Sequence, residues 1–236
     1  RRAVQTQNVV AWLEGSDPVL KDEYVLFGSH YDHVGARDGE VYNGADDDGS
    51  GTVAMLEIAE AFSIRRPKRS VVMVWHTGEE KGLRGARYFV ANSPIPLEKV
   101  SAQLQMDMLS RNEPDSIYAI GSHFLSSELD ALLRRTEDEL GMVSISDRYN
   151  DPEMERNFFH QSDHYAYHQA GIPTTFFFCG VHEDLHRPSD DVAKCDFDKM
   201  ARVSRLVYAV GMAVGDHPDL VALDRDPEVT GRGLPR

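Results

Sequence analysis

Histidines and carboxylates gather where apolar runs end. His30 and Asp32 follow the run 24–29, Glu79 and Glu80 follow 70–75, Asp107 follows 102–106, and His182 and His186 follow 174–178. Asp46, Asp47 and Asp48 occupy a glycine-rich loop ahead of a helical stretch. Imidazole nitrogens mixed with carboxylate oxygens suit a borderline divalent cation such as zinc. Carboxylates gathered without a cation repel one another, so either a metal sits among these groups or they face apart into water. A catalytic zinc takes about three protein ligands and a water. Five ligands sharing one bridging carboxylate would serve two ions acting as a clamp.

Such groups meet only if the elements before them run side by side. The runs 8–13, 24–29, 70–75, 102–106, 117–120 and 174–178 have strand length and composition. Between them, 52–64 carries Met55, Leu56, Ala59 and Phe62 at helical spacing, and 83–91 and 162–170 read as short helices. The charged amphipathic stretch 125–140 stops at Gly141, and Met200, Val203, Leu206, Val207, Val210 and Val214 mark a long closing helix. Strands alternating with helices predict one α/β domain, a mixed, mostly parallel sheet flanked by helices in three layers. In such sheets ligands bind beyond the carboxyl ends of the strands, the edge where these groups fall. Residues 1–215 are expected to form the catalytic domain and 216–236, rich in Pro, Gly and charge, a surface or disordered tail.

Composition sets the bounds. The 236 residues are 41% hydrophobic and 27% charged, ordinary for a chain that buries a full core. With 25 Lys+Arg against 39 Asp+Glu, the net charge of −14 offers no basic surface for nucleic acid. No apolar run approaches the ~20 residues that span a bilayer. Cys179 and Cys195 are either one bridge or two thiols. The chain opens on Arg1 without a signal-type apolar segment, as expected of a mature form or a trimmed piece.

The chain resembles the M28 family of zinc aminopeptidases. The resemblance rests on Gly28-Ser29-His30-Tyr31-Asp32, Gly44-Ala45-Asp46-Asp47-Asp48-Gly49-Ser50-Gly51, Gly78-Glu79-Glu80-Lys81-Gly82-Leu83-Arg84-Gly85, Met106-Asp107-Met108, Ser162-Asp163-His164 and His186-Arg187-Pro188-Ser189-Asp190, in the family's order. It implies two zinc ions per chain, with cobalt or manganese as substitutes. His30, Asp47 and Asp107 would hold one ion; Glu80, His186 and the shared Asp47 the other. It further implies that Glu79 is the general base on the metal-bridging water and that Asp32 orients His30. The substrates would be peptides with a free N-terminus, cleaved one N-terminal residue at a time, and the location periplasmic or secreted. Some relatives place an oxyanion-binding Tyr just before the last histidine or shortly before Ser-Asp-His. Here those places hold Leu185 and the Phe158–Phe159 pair, which leaves His160, Gln161 and Tyr165 as candidates.

Other readings compete. Asp46-x-Asp48-x-Ser50-Gly51 followed by Glu57 approaches a calcium loop, but that loop needs an entering helix, and residues 34–44 carry glycines and no helical stripe. His182-Glu183-Asp184-Leu185-His186 matches H-E-x-x-H, which works only on a helix, and Gly180 and Pro188 bracket it. A single-zinc, glutaminyl-cyclase-like aminoacyltransferase on the same fold is the main alternative. A carboxypeptidase would recruit Arg84 or Arg187 for a C-terminal carboxylate, and a binding protein without activity would have lost ligands that this chain keeps.

Overall fold

The structure, a computed structural model, describes residues 5–151 and 157–225. In chain order these form β1 (Val9–Leu13), β2 (Tyr24–His30), the small hairpin β3 (Ala36–Arg37) and β4 (Glu40–Val41), α1 (Gly51–Ile64), β5 (Ser70–His76), α2 (Arg84–Ala91), β6 (Val100–Met106), β7 (Ser116–Ile120), the single turn α3 (Ser122–Leu125), α4 (Ser127–Leu140), β8 (Ser144–Ser146), α5 (His164–Gln169), β9 (Thr174–Phe178) and α6 (Phe197–Asp216).

The main sheet has seven strands in the order β1-β5-β2-β6-β9-β7-β8. Its centre is parallel: β5, β2, β6 and β9 run the same way. β1 is antiparallel to β5, and β7 to β9. The central strands are covered on both faces, so β5 and β6 are buried along their whole length; β5 reads as an apolar run, whereas β6 alternates apolar residues with buried Ser101, Gln103 and Gln105. The two-residue period still sorts their side chains. Val25, Phe27, Val71 and Met73 pack into the layer of α1, α4 and α6, whereas Leu26, Val72 and Val74 meet α2 and α5 through Ala86, Phe89, Ala166 and Tyr167. The expected mixed three-layer α/β fold is the one observed.

Some boundaries differ from the sequence reading for local reasons. The helix expected over 125–140 begins at Ser127, because Ser126 is extended and its hydroxyl accepts the Leu129 N–H at 3.1 Å. The turn α3 precedes that break. Helix α6 starts three residues earlier than the apolar stripe, where the Asp196 carboxylate caps the Lys199 N–H at 2.8 Å. Past α6, the tail expected from 216 onward has a described part that runs back over the body. Val221 is buried, and its N–H is donated to Ser101 Oγ at 3.2 Å. Residues 226–236 lie outside the described residues. Both cysteines are free thiols.

Candidate metal centre

Because β2, β5, β6 and β9 are parallel, their carboxyl ends share one edge, and His30, Glu79–Glu80, Asp107 and His186 all arrive there. His30 is the last residue of β2. The chain leaves β5 through Thr77 and Gly78, where a φ of 68° allows the sharp turn that carries Glu79 and Glu80. Asp107 follows β6 and is pinned by its N–H, which bonds the Phe177 carbonyl of β9 at 3.2 Å.

Asp47 is the centre of the arrangement. Its Oδ1 lies 3.4 Å from His30 Nε2, which in turn lies 3.4 Å from Asp107 Oδ2. Its Oδ2 lies 3.1 Å from His186 Nε2, which is also 3.1 Å from Glu80 Oε2. One carboxylate thus faces two separate imidazole–carboxylate pairs. His30, Asp47 and Asp107 are all buried, with one donor atom from each within 4.8 Å of the others.

The neighbouring aspartates are already engaged. Asp48 turns inward, accepting the N–H groups of His30 at 3.0 Å, Gly51 at 2.9 Å and Met108 at 3.2 Å. It thereby ties the ends of β2 and β6 to the start of α1. Gly51 is required at that junction, since a Cβ there would lie 2.4 Å from Asp48 Oδ1 and 2.7 Å from the Met106 carbonyl. Asp46 takes the Ser110 N–H at 2.7 Å and Cys179 Sγ at 3.2 Å. Asp190 closes the loop from the other side by accepting the Asp46 and Asp47 N–H groups. Of the three adjacent acids, only Asp47 presents its carboxylate to the cluster of His30, Glu80, Asp107 and His186.

His30 is oriented by Asp32 in a way the sequence reading did not anticipate. The backbone carbonyl of Asp32 meets His30 Nδ1 at 3.0 Å, while its carboxylate stands 3.9 Å away. A carbonyl can only accept, so Nδ1 carries the proton and Nε2 faces the cluster. The Asp32 carboxylate instead accepts the Glu79 N–H at 3.1 Å, fixing the turn that presents Glu79. Ser162 Oγ donates to Asp107 Oδ2 at 2.7 Å. Asp163 and His164 are both buried behind the cleft, Asp163 against His76 and His164 stacked on Phe176. His33 was not singled out in the sequence, yet its Nδ1 lies 3.0 Å from Glu80 Oε1 and 3.7 Å from Asp47 Oδ2. It stands in an irregular loop, where spacing from His30 carries no directional information.

The ionisable groups of the cluster shift one another strongly. Asp47 and Glu80 push His186 up to about 10. Burial pulls His30 down, but Asp107 and Asp47 outweigh it, and its pKa stands well above the usual value. Burial, reinforced by the charges of Asp107, Asp163 and Glu80, raises Glu79 to about 9. Glu80 Oε1 and both ring nitrogens of His33 are buried without a hydrogen-bond partner. Orphaned donors converging among crowded carboxylates are the environment a divalent cation completes, so the residues fit one.

The competing motifs do not assemble. His182–His186 is a series of turns rather than a helix; Glu183 is exposed, and His182 faces Asp46 Oδ2 at 3.2 Å, away from His186's partners. The acidic loop is entered from the β3–β4 hairpin, not from a helix. The cleft above the cluster encloses about 270 Å³. Met108, Phe158, Phe176, Phe178, Val181 and Leu185 give it an apolar lining, and Gln161 lines it as well. His160, Tyr165, Arg84 and Arg187 are not among its lining residues.

Residues 8–211 match the sequence profile of Peptidase family M28. The chain belongs to that family. It is 32% identical over 185 residues to a probable leucine aminopeptidase 2 of Aspergillus oryzae, covering 75% of this chain and 34% of that protein. Its fold is similar to that of a zinc aminopeptidase from Bacillus subtilis, with TM-score 0.73 and 21% identity over 93% of this chain and 53% of the other. It is also similar to a glutaminyl cyclase from an Acidobacteriales bacterium, with TM-score 0.72 and 18% identity over 88% of this chain and 73% of the other. The chain spans from a third to about half of the length of the first curated relatives it matches. No helix among the described residues is long and apolar enough to cross a membrane.

Proposed function

We propose that this chain is the catalytic part of a co-catalytic dizinc aminopeptidase, acting on peptides with a free N-terminus and an apolar first residue. The observation that carries the reading is the placement of Asp47, whose two oxygens face different imidazole–carboxylate pairs. His30, Asp47 and Asp107 would hold one ion, and Asp47, Glu80 and His186 the other. Zinc bound there supplies a water acidified to a pKa of ~7 and polarises the scissile carbonyl.

The remaining chemistry belongs to the side chains. Glu79 takes a proton from the attacking water and delivers it to the leaving amine. Asp32 holds Glu79 in place through its backbone N–H, and the Asp32 carbonyl keeps His30 Nε2 aimed at the cluster. Ser162 leaves Asp107 Oδ2 with a fixed partner. The apolar lining from Met108 to Leu185 favours an apolar side chain beside the cluster. Gln161, alone of the three oxyanion candidates in lining the cleft, is the donor assigned to the tetrahedral oxygen. An enzyme of this kind is expected in the periplasm or outside the cell, which fractionation of the source cells tests.

The test combines metal analysis with a substrate panel. Protein purified without chelator should contain about two zinc ions and hydrolyse Leu-, Met- and Phe-p-nitroanilides faster than Glu- or Lys-p-nitroanilide. One zinc per chain with cyclisation of an N-terminal Gln peptide would replace this reading by the aminoacyltransferase one.

A further inference from the structure

We infer that His33 is a fourth protein ligand of the ion on the Glu80 side, binding through Nδ1, so that the two metal positions are unequal. The inference rests on the dizinc reading above. His33, Asp47 and Glu80 form a group of their own, one donor atom from each lying within 4.8 Å of the others. His33 Nδ1 is 3.0 Å from Glu80 Oε1, yet neither His33 ring nitrogen makes a hydrogen bond, and neither does Glu80 Oε1. The contact is close but lacks hydrogen-bond alignment, so neither buried atom satisfies the other. A cation between them removes that cost.

The ring is also held in place. It lies against the backbone of Gly44, where φ is 63° and a Cβ would come within 2.5 Å of His33 Cγ. The imidazole is therefore seated in a cradle that only glycine leaves open. Its side chain is 9% exposed, against 51% for His186, which sits on a left-handed backbone at φ 55°. The two rings meet edge to face with centroids 5.6 Å apart, His33 on Glu80 Oε1 and His186 on Glu80 Oε2.

Two consequences follow. The ion beside Asp107 has three protein donors and keeps a position for water or substrate, the pattern of catalytic zinc. The ion beside Glu80 has four, two of them imidazoles, which favours zinc or cobalt over manganese at that position. His33 would be its buried ligand and His186 its exposed one.

The experiment is performed on the whole chain stripped with chelator and reloaded with ¹¹³Cd, with histidines labelled in ¹⁵N. Three histidines coupled to cadmium, His30, His33 and His186, are expected in the unsubstituted protein; two coupled histidines overturn the inference while leaving the dizinc reading intact. No bound cadmium at all would overturn both. In parallel, His33→Gln and His186→Ala are titrated with zinc against a fluorescent chelator. Losing even a hydrogen-bonding partner of a ligand costs about 10–100-fold in metal affinity, so His33→Gln should weaken the second zinc at least that much and leave the first unchanged. An unaltered second affinity in a folded His33→Gln protein refutes the assignment.

Discussion

Glu79 offers the sharpest test of how this site works. In the protein alone its carboxyl is raised to about 9, chiefly by burial and then by the surrounding acids. At pH 7, about two units lower, it is therefore mostly protonated and a poor base. Ionising it takes about 2.7 kcal/mol, at 1.36 kcal/mol per unit. A unit charge roughly 4 Å away supplies about 4 kcal/mol at an effective dielectric of about 20, so bound dications suffice. Metal binding is therefore expected to ionise Glu79. Zinc titrated calorimetrically into stripped protein, in two buffers of different protonation enthalpy, counts the protons released. Glu79→Gln should bind the same amount of zinc but release about one proton fewer at pH 7. That difference should shrink to about one half near pH 9, where the apo carboxyl is half ionised. Its kcat should fall by about 10²–10⁴, the usual worth of a general base. Equal proton release by the two proteins at pH 7 would refute the reasoning, as would loss of zinc from the variant.

The other expectations concern the residues around Glu79. Asp47→Asn should reduce zinc from about two ions per chain to one or none and abolish turnover, as elemental analysis and a peptidase assay will show. Ser162→Ala removes the 2.7 Å hydrogen bond to Asp107 and should lower affinity for the metal beside Asp107 about 10–100-fold in a chelator competition, with the fold retained by circular dichroism. Glu183→Gln, on an exposed turn, should leave kcat/KM within about twofold, since surface changes are usually near neutral. Burial lowers His76 and His164 each to about 3, below the ~6.5 of an unfolded histidine. The unfolded chain then binds more protons between those values, so stability is full above pH 6.5 and declines as pH falls toward 3. Each histidine adds a slope of about 1.4 kcal/mol per pH unit, and urea midpoints of His164→Gln should show a correspondingly shallower decline than the parent between pH 6 and 4.

The alternation of buried strands and helices could be read from the sequence because parallel strands covered on both faces tend to be apolar throughout. β5 declares itself that way and β9 through its aromatic run, whereas β6 buries Ser101, Gln103 and Gln105 between its apolar residues. Short or exposed pieces escaped: the β3–β4 hairpin has two-residue strands, and β8 has three residues. Strand direction escaped too, since nothing local in 117–120 distinguishes the antiparallel β7 from a parallel neighbour. Arg69 and Lys199, both fully buried, carry no sign in the sequence of the partners that hold them, Glu23 with the Val214 carbonyl for one and the Arg111 carbonyl for the other.

At the site the division is sharper. Residue type and position after apolar runs suffice to nominate His30, Asp107, the Glu79–Glu80 pair and His186, because a strand end at a parallel edge is where unpaired polar groups can converge. The sequence also determined, by its ordered motifs, which family they resemble. Residue type and position alone did not choose among Asp46, Asp47 and Asp48; the resemblance pointed to Asp47, and the physical reason lies in the tertiary structure, where the N–H groups of His30, Gly51, Met108 and Ser110 engage the outer two. The same holds for Asp32, whose carbonyl and carboxylate serve different partners, and for the apolar lining drawn from Met108, Phe158, Phe176, Phe178, Val181 and Leu185. His33 is the clearest case: three residues past His30 in an irregular loop, it reaches Glu80 only because the turn after β5 and the bare backbone of Gly44 bring them together. Local sequence encodes what each segment buries; which donor atoms finally face one another is a property of the folded chain.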